Sequence, residues 1–179
     1  MPKRHLTAAQ AFDLRQALHV ATLDALMASR RWEPGDLVFQ GGTSLHLAYG
    51  SPRYSEDLDF LVNSSLNLQS IAAAVQARLE GASGLVPQGA KLVVSKAKDA
   101  PNPHTFVVAI GGPDLIGAVR VKVKLWRAPD STVNAVKSTV SPIPLVSGAA
   151  SGLQTLVPTA ELTELYVEKV FALGARPYS

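Results

Sequence analysis

Two short runs carry the residue types best suited to chemistry. In the first, Phe39-Gln40-Gly41-Gly42-Thr43-Ser44-Leu45, an apolar stretch ends in two glycines and opens a helix-permissive segment. Glycines there allow close backbone approach and leave a set of N–H donors free, which suits phosphate. The second run, Ser55-Glu56-Asp57-Leu58-Asp59-Phe60, follows with 14 residues between Gly42 and Asp57. Asp57 and Asp59 flank one apolar residue, so on a strand both carboxylates share a face while Leu58 turns to the core. Two carboxylates so placed repel each other unless a divalent cation lies between them, and Mg²⁺ prefers a few carboxylates plus substrate phosphates to an all-protein cage. An Asp-x-Asp alone is more often a solvated strand edge, and a Gly-Gly alone a turn. Their joint occurrence is what points to nucleotidyl transfer, in which metals bridging the phosphates lower the charge barrier to attack on the α-phosphorus.

The elements that must position these residues follow from periodicity. Residues 7–29 have near-helical apolar spacing behind Thr7 as an N-cap, and Leu37 to Gln40 is a short strand. Thr43 to Tyr49 is a helix with Gly50 as its C-cap, and Leu58 to Val62 is a strand with the two carboxylates at its mouth. Leu66 to Leu79 reads as a helix. Lys91 to Ser95, Thr105 to Ile110 and Ala118 to Trp126 read as strands. In the last of these, Val119, Val121, Val123 and Leu125 alternate with Arg120, Lys122, Lys124 and Trp126, giving one buried and one basic face. Residues 141–158, rich in Ser, Gly, Ala and Pro, read as a loop, and a final helix is expected from about Thr159 to Leu173. This order predicts a single α+β domain over residues 1–179: a core to about 140, the loop, and the start of a helical part.

Composition bounds the function. The chain has 179 residues and no Cys, which excludes a disulfide framework, a thiol nucleophile and thiolate zinc sites. No apolar run reaches a membrane-spanning length and no signal-like stretch follows Met1, so the expectation is a cytoplasmic protein without a membrane partner. Residues 1–64 carry a net charge of −1, whereas 91–138 carry +5. Such a basic middle suits phosphate or nucleic acid, and equally an unspecialised solvated surface.

Gly41-Gly42-Thr43-Ser44-Leu45, Tyr49-Gly50, Arg53 and Ser55-Glu56-Asp57-Leu58-Asp59-Phe60 together resemble the core motif of the AbiEii/AbiGii-type nucleotidyltransferase toxins, a branch of the DNA polymerase β-like superfamily. The match is dense over residues 38–62 and thin elsewhere. The resemblance implies a minimal nucleotidyltransferase fold and transfer of a nucleoside monophosphate from an NTP, in several members onto the 3′ end of tRNA, beside a cognate antitoxin. It places Gly41, Gly42 and the Thr43 and Ser44 hydroxyls on the triphosphate and Asp57 and Asp59 on Mg²⁺. On the last helix, Lys169 falls in the centre of an apolar stripe formed by Leu162, Leu165, Tyr166, Val170 and Leu173. A lysine there either snorkels or serves a purpose. Glu168-Lys169-Val170-Phe171-Ala172-Leu173 matches a family pattern whose lysine contacts the nucleotide phosphates.

Two departures from the family stand out. The third carboxylate, often carried as Lys-x-Glu on a later strand, corresponds here to Lys122-Val123-Lys124, whose lysines could hold phosphate instead. The helical part that carries a further functional aspartate is expected to be cut short at Ser179. Arg53 either reaches a phosphate or caps its loop. His5, His19, His46 and His104 have no mutual metal-ligand spacing, and only His46 lies one turn from Thr43 on the phosphate helix. Trp32 and Trp126 read as packing residues. Two other readings stay open: a degenerate fold that binds nucleotide, RNA or an antitoxin without catalysis, and a small-molecule nucleotidyltransferase of the antibiotic-modifying kind.

Overall fold

The computed structural model describes residues 4–81, 85–96, 101–113, 115–144 and 154–174. In chain order they form β1 (Arg4–His5), α1 (Ala8–Ala28), β2 (Leu37–Gln40), α2 (Gly41–Tyr49), β3 (Asp57–Asn63), α3 (Ile71–Glu80), β4 (Lys91–Lys96), β5 (His104–Gly112), β6 (Leu115–Ala128), α4 (Asp130–Ala135), β7 (Ser138–Pro144), β8 (Gln154–Ala160) and α5 (Leu162–Gly174). The strands make one mixed sheet in the order β4-β5-β6-β3-β2-β8-β7, with β1 added beside β6. This is the mixed sheet with helices against it that the element order predicts.

Helix α1 starts where Thr7 and Gln10 form a reciprocal capping box, each side chain taking a backbone N–H of the other. Its second half is buried nearly all round, from Ala17 to Leu23 and again at Ala25 and Leu26, because it lies between the sheet and α3. Against it the sheet presents Leu37, Phe39, Leu58, Phe60, Val62, Phe106, Val108, Ile110 and the alternating Val119, Val121, Val123 and Leu125. Phe39 and Phe60, opposite each other on β2 and β3, stack at 5.0 Å between ring centroids. The other sheet face is only partly covered. A smaller cluster of Val38, Ala128, Val133, Ala160 and Leu165 occupies one side of it. The remainder, over β3, β6, β5 and β4, carries the polar side chains.

Three expectations are corrected. The stretch 141–158 is not all loop, since β7 and β8 pair antiparallel from Ser138 opposite Ala160 to Pro144 opposite Gln154. Pro142 and Pro144 are tolerated because they lie on β7, an edge strand, where a missing N–H costs no ladder bond, while Ile143, Thr155, Val157 and Thr159 face inward. Consequently the last helix begins at Leu162, with Thr159 and Ala160 belonging to β8. Residues 66–70 are a turn, and α3 begins only at Ile71.

Candidate active site

The two glycines and the two aspartates meet at one end of adjacent strands. β2 and β3 pair antiparallel with Gln40 opposite Asp59, so the chain leaving β2 enters α2 beside the aspartates. Gly41 adopts φ +86°, and a Cβ on it would lie 3.1 Å from Asp59 Cβ and 3.2 Å from Asp59 Oδ2. The missing side chain thus serves both the backbone turn and the space for the carboxylate. A Cβ on Gly42 would lie 3.0 Å from both Cβ and Oγ of Ser55. Gln40, at the N-cap, makes no side-chain capping bond, so the first turn of this nine-residue helix keeps its N–H groups available.

The Thr43 and Ser44 hydroxyls do not face this opening. Both residues are fully buried. Thr43 Oγ1 donates to the Asp57 backbone carbonyl and Ser44 Oγ to the Gly41 carbonyl at 2.8 Å. Their hydroxyls tie α2 to β3 and close its first turn, a use that depends on tertiary packing. The groups left open at this helix start are backbone N–H groups rather than these hydroxyls.

β3 and β6 run parallel, with Asp57 opposite Lys122 and Asp59 opposite Lys124. By strand alternation all four lie on the open face. Lys124 Nζ is 2.6 Å from Asp57 Oδ2, and Trp126 Nε1 donates to Asp59 Oδ1 at 3.2 Å. Burial alone would push the Lys124 ammonium down, but its hydrogen bond to Asp57 and the charges of Asp59 and Asp57 outweigh this and hold it above the ordinary lysine value. Each aspartate therefore keeps one oxygen outside these contacts: Asp57 Oδ1 and Asp59 Oδ2. That donor set fits a divalent ion completed by water and phosphate oxygens. Among the described residues no group of three or more His, Cys, Asp and Glu gathers to make a closed protein cage. Beside the pair, an open cleft of about 490 Å³ runs over β6, β5 and β4, lined by Glu56, Asp57, Ser95, Ala109, Arg120 and Lys122. Lys122 is exposed, as is Arg53, whose backbone N–H donates to Ser51 Oγ at 3.3 Å.

The segment leading into β3 is clamped by α1, through residues whose positioning use was not apparent from sequence. His19 is fully buried, and its Nε2 N–H donates to the Glu56 carbonyl at 2.9 Å. Desolvation lowers its pKa to about 4, with the Glu56 hydrogen bond opposing and the Arg15 charge adding to the effect. Arg15 pairs with Glu56 at 2.6 Å. His46 Nδ1 donates to the Ser51 carbonyl at 2.7 Å and its Nε2 lies 2.6 Å from the Gln16 amide nitrogen. His46 thus secures the loop. The only sequence signal for His19 was a polar residue inside an otherwise apolar helical stretch.

Lys169 lies on α5, and its ion pair is with neighbouring Glu168 at 3.6 Å. The apolar stripe around it is not a buried seam: Leu165 is buried, while Leu162 is 53% exposed, Tyr166 72% and Val170 51%. Lys169 is therefore not trapped in a core and keeps a reachable ammonium. Leu173 lies outside the residues whose side chains are described. No described helix is long and apolar enough to cross a membrane.

Comparison with known proteins adds two findings. The family model described as "Nucleotidyl transferase AbiEii toxin, Type IV TA system" matches residues 24–179. Among solved structures, JHP933 from Helicobacter pylori is similar at a TM-score of 0.54 with 19% identity, over 92% of this chain and 58% of that one. MenT4, a nucleotidyltransferase toxin from Mycobacterium tuberculosis H37Rv, is similar at 0.55 with 22% identity, over 89% of this chain and 53% of that one. At these identities the likeness is one of fold, and the chain spans little more than half the length of either. Comparison with curated proteins finds no match.

Proposed function

Because this chain belongs to the AbiEii nucleotidyl transferase toxin family, we propose that it transfers a nucleoside monophosphate from an NTP to a nucleic-acid acceptor, the 3′ end of tRNA first among candidates, and that a cognate antitoxin restrains it. The observation that carries the reading is the pair Asp57 and Asp59, each with an oxygen left over, beside a helix start whose N-cap side chain leaves its N–H groups free. Anionic phosphates are stabilised at such a helix end, and the carboxylates lie where the α-phosphate of a bound triphosphate would be handled.

In this reading Asp57 and Asp59 hold Mg²⁺, which when bound neutralises charge on the triphosphate and polarises the α-phosphorus. The N–H groups around Gly41 and Gly42 orient the triphosphate, and Arg53 adds charge from the loop. The acceptor hydroxyl oxygen forms a bond to the α-phosphorus as the bond from that phosphorus to the β-bridging oxygen breaks, and pyrophosphate leaves. The hydroxyl proton departs by way of Asp59 to solvent. Lys169 neutralises charge on the leaving pyrophosphate. Lys122, with Arg120 on the same open face, attracts the acceptor backbone into the cleft. With Glu56 paired to Arg15 and Asp57 to Lys124, the unpaired charges lining the cleft among the described residues are Arg120 and Lys122, which argues against a cationic antibiotic as acceptor.

A second reading, nucleotide or RNA binding without turnover, is supported by one observation: the Lys124 ammonium on Asp57. Incubation with each of the four α-³²P-labelled NTPs, Mg²⁺ and total tRNA separates the two. Labelled tRNA from the parent and none from Asp59→Asn supports transfer. Detectable NTP binding without label supports the binding-only protein.

A further inference from the structure

Resting on the nucleotidyl-transfer reading, we propose that the site holds one divalent cation rather than two, and that the Lys124 ammonium stands as the second fixed positive charge. The carboxylate oxygens decide the number. Asp57 Oδ2 is held by Lys124 Nζ at 2.6 Å, and Asp59 Oδ1 accepts from Trp126 Nε1 at 3.2 Å. Asp57 Oδ1 and Asp59 Oδ2 are left, one from each residue. Asp59 Oδ2 lies on the Gly41 side, where a Cβ would be 3.2 Å from it. Two oxygens completed by phosphate and water make one Mg²⁺ site. A two-cation site, with its ions about 4 Å apart, needs carboxylates to share between them.

Among the described residues no further carboxylate is in position to help. Glu56, adjacent in sequence, is engaged by Arg15 at 2.6 Å. The position across from Asp59 is taken by Lys124, and that placement is set by the backbone register of β3 and β6, not by a side-chain rotamer. Two carboxylates and one ammonium sum to −1, a charge that one divalent ion more than balances. A second ion would have to displace Lys124 from Asp57 and would raise the local charge further. An ammonium beside the carboxylates can instead face the phosphates directly, as a point charge with three donors.

The test is a count of Mn²⁺ by electron paramagnetic resonance, with inorganic tripolyphosphate as a probe that requires no knowledge of the base. The expected result is one Mn²⁺ per chain in the parent and two in Lys124→Glu. Should a third carboxylate prevent that variant from folding, Lys124→Met serves. It should keep one ion, bind it about ten-fold more tightly because the ammonium no longer repels it, and yet transfer at least about 100-fold more slowly. Two ions in the parent would overturn the proposal, as would unchanged Mn²⁺ affinity in Lys124→Met. No protein-bound Mn²⁺ in the parent would overturn it together with the carboxylate pair as a metal site. One Mn²⁺ in the parent with no transfer to any acceptor would instead remove the transfer reading and the Lys124 role in it, leaving the count standing.

Discussion

The His19 imidazole, buried in α1, donates to the backbone carbonyl of Glu56, so a helix on the covered face of the sheet holds the residue immediately before Asp57. The placement of the first carboxylate thus rests on a neutral histidine. With a folded pKa of about 4 against an ordinary 6.5, the native state refuses a proton that the unfolded chain accepts. Stability is therefore complete above pH 6.5, falls as pH drops toward 4, and loses nothing more from this group below that. Over the window the loss is about 3 kcal/mol. Urea unfolding between pH 7 and 4 should show it, and His19→Gln should flatten the dependence.

Gly41→Ala should lose both stability and activity. The strained positive φ costs about 1–2 kcal/mol, and the new Cβ at 3.1 Å from Asp59 Cβ pushes on the carboxylate. Gly50→Ala is the control, since Gly50 also has positive φ but its Cβ position is open. Comparable losses of stability, with activity lost only in Gly41→Ala, are the expected pattern in parallel thermal melts and transfer assays.

Phe39→Ala removes one of two fully buried, stacked rings at the centre of the sheet. A cost of about 3–5 kcal/mol is expected, a large fraction of an ordinary domain stability of roughly 5–15 kcal/mol. A chemical-denaturation midpoint within error of the parent would contradict the core described here.

Trp126 is 39% exposed and bonded to the Asp59 carboxylate, so its emission should report on what binds there. Adding Mn²⁺ with tripolyphosphate should change the fluorescence, chelation with EDTA should reverse it, and Trp126→Phe should abolish the response while Trp32→Phe retains it. A response that survives in Trp126→Phe would place the ion elsewhere.

What could be read from sequence, and what could not, divides along the range of the forces involved. The alternation in β6 is local, so its apolar and basic faces were legible and the structure has both. The Asp57-Leu58-Asp59 alternation on β3 was legible for the same reason. The Thr43 and Ser44 hydroxyls were expected on phosphate but bond inward, because only the packing of α2 on β3 buries them. β7, and β8 which pairs with it, were hidden in part by Pro142 and Pro144, whose tolerance depends on the edge position of β7 in the finished sheet. The clamp formed by Arg15, Gln16, His19 and His46 joins residues more than 25 positions apart and has no local pattern. The α5 stripe looked like a buried seam, yet among its described residues Leu165 alone is buried.

The pairing of Phe39 on β2 with Thr159 on β8, and the packing of α1 against β8, bring together segments separated by most of the chain. Long loops must close before these contacts repay their entropy, which slows folding. On the ribosome, α1, β2 and β3 emerge well before β8 and must wait with part of their apolar surface uncovered. Folding of this domain should therefore finish only after residue 160 has left the exit tunnel, and a stalled nascent chain ending near residue 150 should be markedly more sensitive to protease than the full chain stalled on a C-terminal linker long enough to bring β8 out of the tunnel.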